Sequence, residues 1–176
     1  MFLRPEDVIE RFALGEGMTV ADLGVGTGVY TIAAAEAVGE HGVVYGCDVS
    51  KELLSKVSSE AQQKGLTNLH VIWVDLEQER GTTLGDASLD AVIATNILFQ
   101  IEHKERFLKE IVRILKLGGK ALVVDWSDSF GGVGPHAGSV LRRAVAQSLC
   151  ESAGLQFQKD IDAGSHHYGM IFRKPK

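Results

Sequence analysis
Three glycines at every second position, Gly24, Gly26 and Gly28, follow an apolar run that ends on Asp22 and precede an alanine-rich segment (Val20-Ala-Asp-Leu-Gly-Val-Gly-Thr-Gly28). A turn without side chains lets a ligand approach the backbone closely, and amides at a helix start donate to polar or anionic groups. Four further polar residues each close an apolar run: Asp48, Asp75, Asn96 and Asp125. An acid about twenty residues past a glycine turn suits a ribose diol, because one carboxylate accepts from two hydroxyls at once. Singly, each of the four also reads as a turn or helix-cap residue; together they mark one edge of a sheet. Late in the chain, His166 and His167 lie in a short polar link. A histidine there is able to deprotonate a hydroxyl or amine, its ordinary pKa being about 6.5. Adjacent side chains of an extended link point to opposite sides, so at most one of the pair faces a pocket and the two do not share a metal. Polar loop histidines remain the alternative.

The elements that must position these groups follow from periodicity. Residues 5–13 read as a short helix with Pro5 and two acids in its first turn. Met18 to Leu23, Val43 to Cys47, Leu69 to Val74, Leu89 to Thr95 and Ala121 to Val124 read as strands. Between them lie helices: one after the glycine turn, one capped by Ser50 and ended by Gly65, and one with the stripe Phe107, Leu108, Ile111, Val112 and Leu115 stopped by Gly118 and Gly119. Residues 77–88 read as a long loop or one weak helical turn. Residues 127–138, rich in glycine and serine with Pro135, read as a flexible loop near the site. Leu141, Val145 and Leu149 mark a last helix, and Leu155 to Ile161 and Tyr168 to Arg173 two final strands, which their short link forces to pair antiparallel. Strands alternating with helices predict an α/β, Rossmann-like doubly wound sheet in three αβα layers, seven-stranded and mostly parallel with an antiparallel last strand. In such sheets ligands bind beyond the carboxyl ends of the strands.

Composition narrows the function classes. The chain has 176 residues, which favours one domain over 1–176, and 45% hydrophobic with 23% charged residues belongs to a folded globular chain. A formal net charge of −5 gives no general attraction to nucleic acid. Cys47 and Cys150 are in no metal-like spacing, so no metal site is expected and reduced thiols in a cytoplasmic protein are. No segment has signal-peptide or membrane-spanning character, so no membrane partner is expected.

Two ligand classes compete for the glycine loop. A dinucleotide fold wants Gly-x-Gly-x-x-Gly, whereas here the third glycine comes one residue early and Val29 stands in its place. Asp22 before the loop is badly placed for a pyrophosphate and suits a ligand that carries an ammonium. At this point the chain resembles the class I S-adenosylmethionine-dependent methyltransferases over nearly its whole length. Val20 to Gly28 is similar to their first motif, and Val44-Tyr-Gly-Cys-Asp48 to the second strand with its ribose acid. Val74-Asp75-Leu76 is similar to the adenine-binding corner, Leu89-Asp-Ala-Val-Ile-Ala-Thr-Asn96 to the fourth-strand motif, and Ile114-Leu-Lys-Leu-Gly-Gly-Lys-Ala-Leu122 to the helix, turn and strand that follow.

The resemblance implies S-adenosyl-L-methionine as cofactor and S-adenosyl-L-homocysteine as product. It puts Gly24, Gly26, Thr27 and Gly28 against the methionine part with Asp22 near that end, Asp48 on the ribose hydroxyls and Val49 on the adenine face. Asp75 would accept from the adenine amino group, the Leu76 amide would reach a ring nitrogen, and Asn96 would stand nearest the sulfonium through its backbone or side chain. Asn96, His166 and His167 are the candidate catalytic residues, and Phe99, Asp125, Trp126 and Tyr168 the candidate pocket for the acceptor. A small-molecule acceptor is favoured, with RNA or protein as the alternative. The end of the fourth strand, Asn96-Ile-Leu-Phe99, lacks the two prolines typical of enzymes that methylate nucleobase or amide nitrogens. A nicotinamide-dependent oxidoreductase and a non-catalytic binding module are the readings from other classes.

Overall fold
The computed structural model describes residues 3–176. Its elements in chain order are α1 (Pro5–Phe12), β1 (Thr19–Leu23), α2 (Val29–Val38), β2 (Val43–Asp48), α3 (Lys51–Gln63), β3 (Leu69–Trp73), β4 (Leu89–Thr95), α4 (Lys104–Ile114), β5 (Leu115–Trp126), α5 (Arg143–Ala153), β6 (Gln156–Ile161) and β7 (His167–Arg173). The seven strands form one sheet in the order β3-β2-β1-β4-β5-β7-β6. The pairs β1–β2, β1–β4, β2–β3 and β4–β5 are parallel, while β7 runs antiparallel to both β5 and β6. The expected last pair is therefore present, with β7 inserted between β5 and the edge strand β6.

Side-chain alternation builds the two faces. Ala21, Leu23, Val92, Val123, Met170 and Phe172 pack on one side with Phe107, Leu108 and Ile111 of α4. Val20, Val44, Ile93, Leu122 and Ile171 pack on the other with Val8, Ile9 and Phe12 of α1 and the alanines of α2. Helix starts follow the sequence signals: Ser50 Oγ accepts from the Leu53 amide at 3.3 Å, and Pro5 occupies the first turn of α1. Among the described residues no helix is long and apolar enough to cross a membrane.

One expectation fails locally. Gly118 and Gly119 do not stop a helix; α4 ends at Ile114 and β5 begins on the next residue, so the glycines lie inside a strand of 12 residues. Gly118 has φ +76, and a Cβ on Gly119 would come within 2.9 Å of the Lys116 carbonyl oxygen. The pair makes an irregular strand start, where the β4–β5 register shifts between Leu89 and Ala91. The 77–88 loop is tied to α4: Glu110 Oε1 accepts from the Thr82 amide at 3.1 Å and hydroxyl at 2.6 Å, and Arg113 Nη2 donates to the Leu84 carbonyl at 2.8 Å.

Candidate functional site
A cleft of about 560 Å³ opens at the carboxyl ends of β1 to β4, within the size range of small-ligand sites. Its walls include Gly24, Gly26, Thr27, Asp48, Val49, Asp75, Leu76 and Asn96. Eight residues expected from the sequence to bind a nucleoside are thus brought together by four different strand ends.

The glycine loop is held by strand β2, since the Gly24 and Val25 amides donate to the Cys47 carbonyl at 2.8 and 3.3 Å. Its glycines answer to different neighbours. Gly26 has φ +52, and a Cβ there would meet no protein atom within 4 Å, so it faces open space at the cleft wall. Gly28, the residue before α2, has φ +86, and a Cβ there would come within 2.5 Å of Val57 Cγ2. Gly28 serves the contact between α2 and α3, and does not line the cleft. Beyond the loop, Asp48 Oδ1 accepts from the Ser50 amide at 2.9 Å and Oδ2 from the Gly26 amide at 3.3 Å. The carboxylate is thereby fixed between the glycine loop and α3. Val49 next to it is 62% exposed, an apolar side chain on the cleft wall without a protein cover.

Asp75 is exposed, and hydrogen bonds from Gln78 Nε2 and the Glu77 amide hold its carboxyl below the usual carboxylate range. Asn96 takes the left-handed conformation at φ +53, where asparagine is tolerated better than most side chains. Its Oδ1 is buried with no hydrogen-bond partner.

Several expected residues stand elsewhere. Asp22 is fully buried beneath the glycine loop, where Oδ2 accepts from Thr31 Oγ1 at 2.6 Å, and it is not on the cleft wall. Burial pushes its carboxyl up to about 7, against the Thr31 hydrogen bond and with a further rise from the charge of Asp48. The folded chain then holds that proton to about pH 7 while the unfolded chain releases it near about pH 4, so this group makes stability fall as pH rises between those values. Asp22→Asn should flatten that fall, by about 2 to 4 kcal/mol at most across the window; thermal unfolding of the two proteins at pH 5 and pH 8 checks it, and parallel slopes contradict it.

Asp125 is fully buried as well; its carboxylate accepts from backbone amides at the ends of β4 and β5 and is not turned to the cleft. Phe99 lies one turn past Asn96, outside the cleft lining. Trp126 and Tyr168 are each 8% exposed and belong to the packing at the β5–β7 end. The Trp126 ring lies 4.2 Å from that of His167, its partner across the strands, and a Cβ on Gly134 would reach the Trp126 ring at 2.7 Å. Trp126 thus packs under the 127–138 loop, while Tyr168, paired with Asp125, belongs to the core cluster that includes Phe107 and Ile111.

The link before β7 turns at Ser165 and His166 and is not extended, and neither histidine is among the residues that line the cleft. His167 is in strand β7 beside Trp126, and burial lowers its pKa. His166, in the turn before it, has Nδ1 at 2.9 Å from Asp128 Oδ1 and stacks on Phe130 at 3.9 Å between ring centroids. Sequence reasoning missed Asp128, whose only signal was an acid just past the fifth strand. It also missed Tyr30, Glu77, Ile97, Gln100 and Ile101 on the cleft wall. Ile97 and Ile101 share the one-turn spacing of a helical contact face, a signal too short to stand out. Among the described residues no group of three or more His, Cys, Asp or Glu side chains is placed to hold a metal ion.

A family model described as a methyltransferase domain matches residues 14–170. The chain belongs to the class I S-adenosylmethionine-dependent methyltransferases. Among solved structures, this methyltransferase chain is similar to a SAM dependent methyltransferase from Aquifex aeolicus, with a TM-score of 0.89 and 26% identity over 98% of this chain and 90% of that one. It is 32% identical to a demethylmenaquinone methyltransferase of Geobacillus sp. strain WCH70 over 69% of this chain and 51% of the relative. It is 29% identical to an arsenite methyltransferase of Halobacterium salinarum over 64% of this chain and 28% of the relative. This methyltransferase chain spans about half the length, 51%, of the first of these curated relatives.

Proposed function
We propose that the chain transfers the methyl group of S-adenosylmethionine to a small-molecule acceptor. The observation that carries the reading is the convergence of the open backbone at Gly26, the fixed Asp48 carboxylate and the uncovered Val49 on one cleft wall. That set fits a nucleoside with an amino-acid tail: Asp48 for the ribose hydroxyls, Val49 and Leu76 for the base, Asp75 for the exocyclic amine, and the glycine loop for the tail. When bound, the sulfonium supplies an already activated methyl, so the protein's own residues need to orient, desolvate and move a proton; orientation alone is worth about 7 to 11 kcal/mol. Asp48→Ala should weaken S-adenosylhomocysteine binding by about 1 to 3 kcal/mol, the worth of a charge-assisted hydrogen bond; unchanged affinity by calorimetry removes Asp48 from the site.

For the acceptor, a quinol-type aromatic ring is supported by the demethylmenaquinone methyltransferases among the relatives and by the apolar Ile97 and Ile101 on the cleft wall. The arsenite chemistry in one relative's name is not carried over: Cys47 and Cys150 are both buried, and burial pushes each thiol up to about 12. His166, oriented by Asp128, takes the proton of the acceptor. Incubation with methyl-tritiated S-adenosylmethionine and a naphthoquinol tests this. Label in the quinol supports the reading, while label only in added RNA or protein moves the acceptor to a macromolecule.

A further inference from the structure
The turn after β4 is built around a carboxylate that does not reach the cleft. Asp125 Oδ2 accepts from the Phe99 amide at 3.0 Å and Oδ1 from the Trp126 amide at 2.8 Å, with the residue fully buried. The turn so tied begins at Asn96. That residue's amide donates to the Val124 carbonyl at 2.8 Å, and its own carbonyl accepts from Gln100 Nε2 at 2.8 Å. With the Asn96 amide and carbonyl each engaged in this way, its side-chain oxygen stands as a buried acceptor that meets no protein donor. A buried acceptor without a partner is costly unless a bound molecule supplies a donor.

We infer that Asp125 is a positioning residue: by accepting from the Phe99 and Trp126 amides it fixes the turn of residues 96–99 so that Asn96 Oδ1 presents an acceptor to an N–H donor of the bound cofactor. The inference rests on the proposed function, since the ammonium of the cofactor's amino-acid tail is the donor. The left-handed backbone of Asn96 supplies the reason a brace is needed, because φ +53 is a conformation that neighbouring contacts must hold. Two amides aimed at one carboxylate are such contacts, and protonating that carboxylate puts a hydrogen where lone pairs are required.

The groups facing Asp125 are Lys104 of α4, whose charge favours the carboxylate, and the Tyr168 hydroxyl of β7, which burial first and the charge of Asp125 next hold above its ordinary range; Cys150 of α5 and Arg143 act on that same hydroxyl. Burial outweighs these and the amide hydrogen bonds, and pushes the Asp125 carboxyl up to about 6. The brace is therefore complete above about pH 6 and lost progressively below it.

Calorimetry of S-adenosylhomocysteine binding between pH 5.5 and 7.5 tests the inference on the full chain. Wild type should lose about three- to fourfold in affinity toward the acid end, because a carboxyl at about 6 is about three-quarters protonated at pH 5.5. Asp125→Asn should bind about tenfold more weakly at pH 7.5 and vary less with pH. Asp22, the other buried carboxyl with a raised pKa, is present in both proteins, so the difference between the two profiles isolates Asp125. Asn96→Ala should show the same loss, and the double variant no further loss, because Asp125 acts through Asn96. Additive losses, or an Asp125→Asn profile that overlays wild type, overturn the inference. If Asp125→Asn does not fold, as read by circular dichroism, Asn96→Ala decides alone: retention of the wild-type pH dependence contradicts the inference. Absence of any binding by wild type at pH 7.5 overturns the proposed function and this inference with it.

Discussion

Gly26→Ala should weaken S-adenosylhomocysteine binding by about 100-fold, or about 2.7 kcal/mol, while leaving the fold intact. A methyl at this position meets no protein atom within 4 Å, so its bulk falls only where a ligand lies against the backbone. The cost to the protein itself is the left-handed conformation at φ +52, about 1 to 2 kcal/mol for a residue with a Cβ, or about 2 to 8 °C in the melting temperature of a domain of this size. Gly28→Ala is the counterpart. Its methyl would come within 2.5 Å of Val57 Cγ2, so that variant should lose about 1 to 3 kcal/mol more of stability through overpacking between α2 and α3. Calorimetry and thermal unfolding of the two variants separate a ligand-facing glycine from a packing glycine. Equal affinity losses in both would contradict the distinction.

His166→Ala should lower kcat by about 10²- to 10⁴-fold, the usual contribution of a positioned general base, with cofactor affinity unchanged. Nδ1 lies 2.9 and 3.1 Å from the two oxygens of the Asp128 carboxylate, a contact that orients the ring. Ser127 donates its amide to the His166 carbonyl at 2.8 Å, joining the β7 turn to the end of β5. Since β5 also pairs with β4, whose end carries Asn96, His166 stands about two strand spacings from Asn96, or about 10 Å. Asp128→Asn should give a smaller loss, because it removes the orienting charge and keeps the ring. His167→Ala should stay within a few-fold of wild type, its ring being packed on Trp126. Wild-type kcat in His166→Ala, measured by label transfer to the acceptor, removes the residue from the mechanism.

Periodicity and punctuation made the frame of this fold legible. The Ser50 cap and the Gly65 stop marked α3, and the apolar runs closed by Asp48 and Asn96 marked β2 and β4 with their carboxyl ends on one side. Because a parallel sheet gathers those ends, residues far apart in sequence meet at one cleft without any contact being known beforehand. Burial is the quantity that a strand-end position does not reveal. Asp22, Asp48 and Asp125 all close apolar runs, yet Asp22 and Asp125 are fully buried while Asp48 lines the cleft. The difference comes from what lies above each: the glycine loop over Asp22, and the 96–99 turn with its amides over Asp125. Gly118 and Gly119 misled for a related reason, since a glycine pair serves an irregular strand start as readily as a helix stop. The pairing of His166 with Asp128 joins residues 38 apart through a loop of irregular structure, for which sequence carries no period.

The proposed occupant of the cleft at the ends of β1 to β4 is S-adenosylmethionine and not a dinucleotide. Titration calorimetry of the chain with S-adenosylhomocysteine and, separately, with NAD at pH 7.5 tests it most directly. Micromolar binding of S-adenosylhomocysteine with no heat from NAD is the predicted result; binding of NAD with none of S-adenosylhomocysteine would contradict the account.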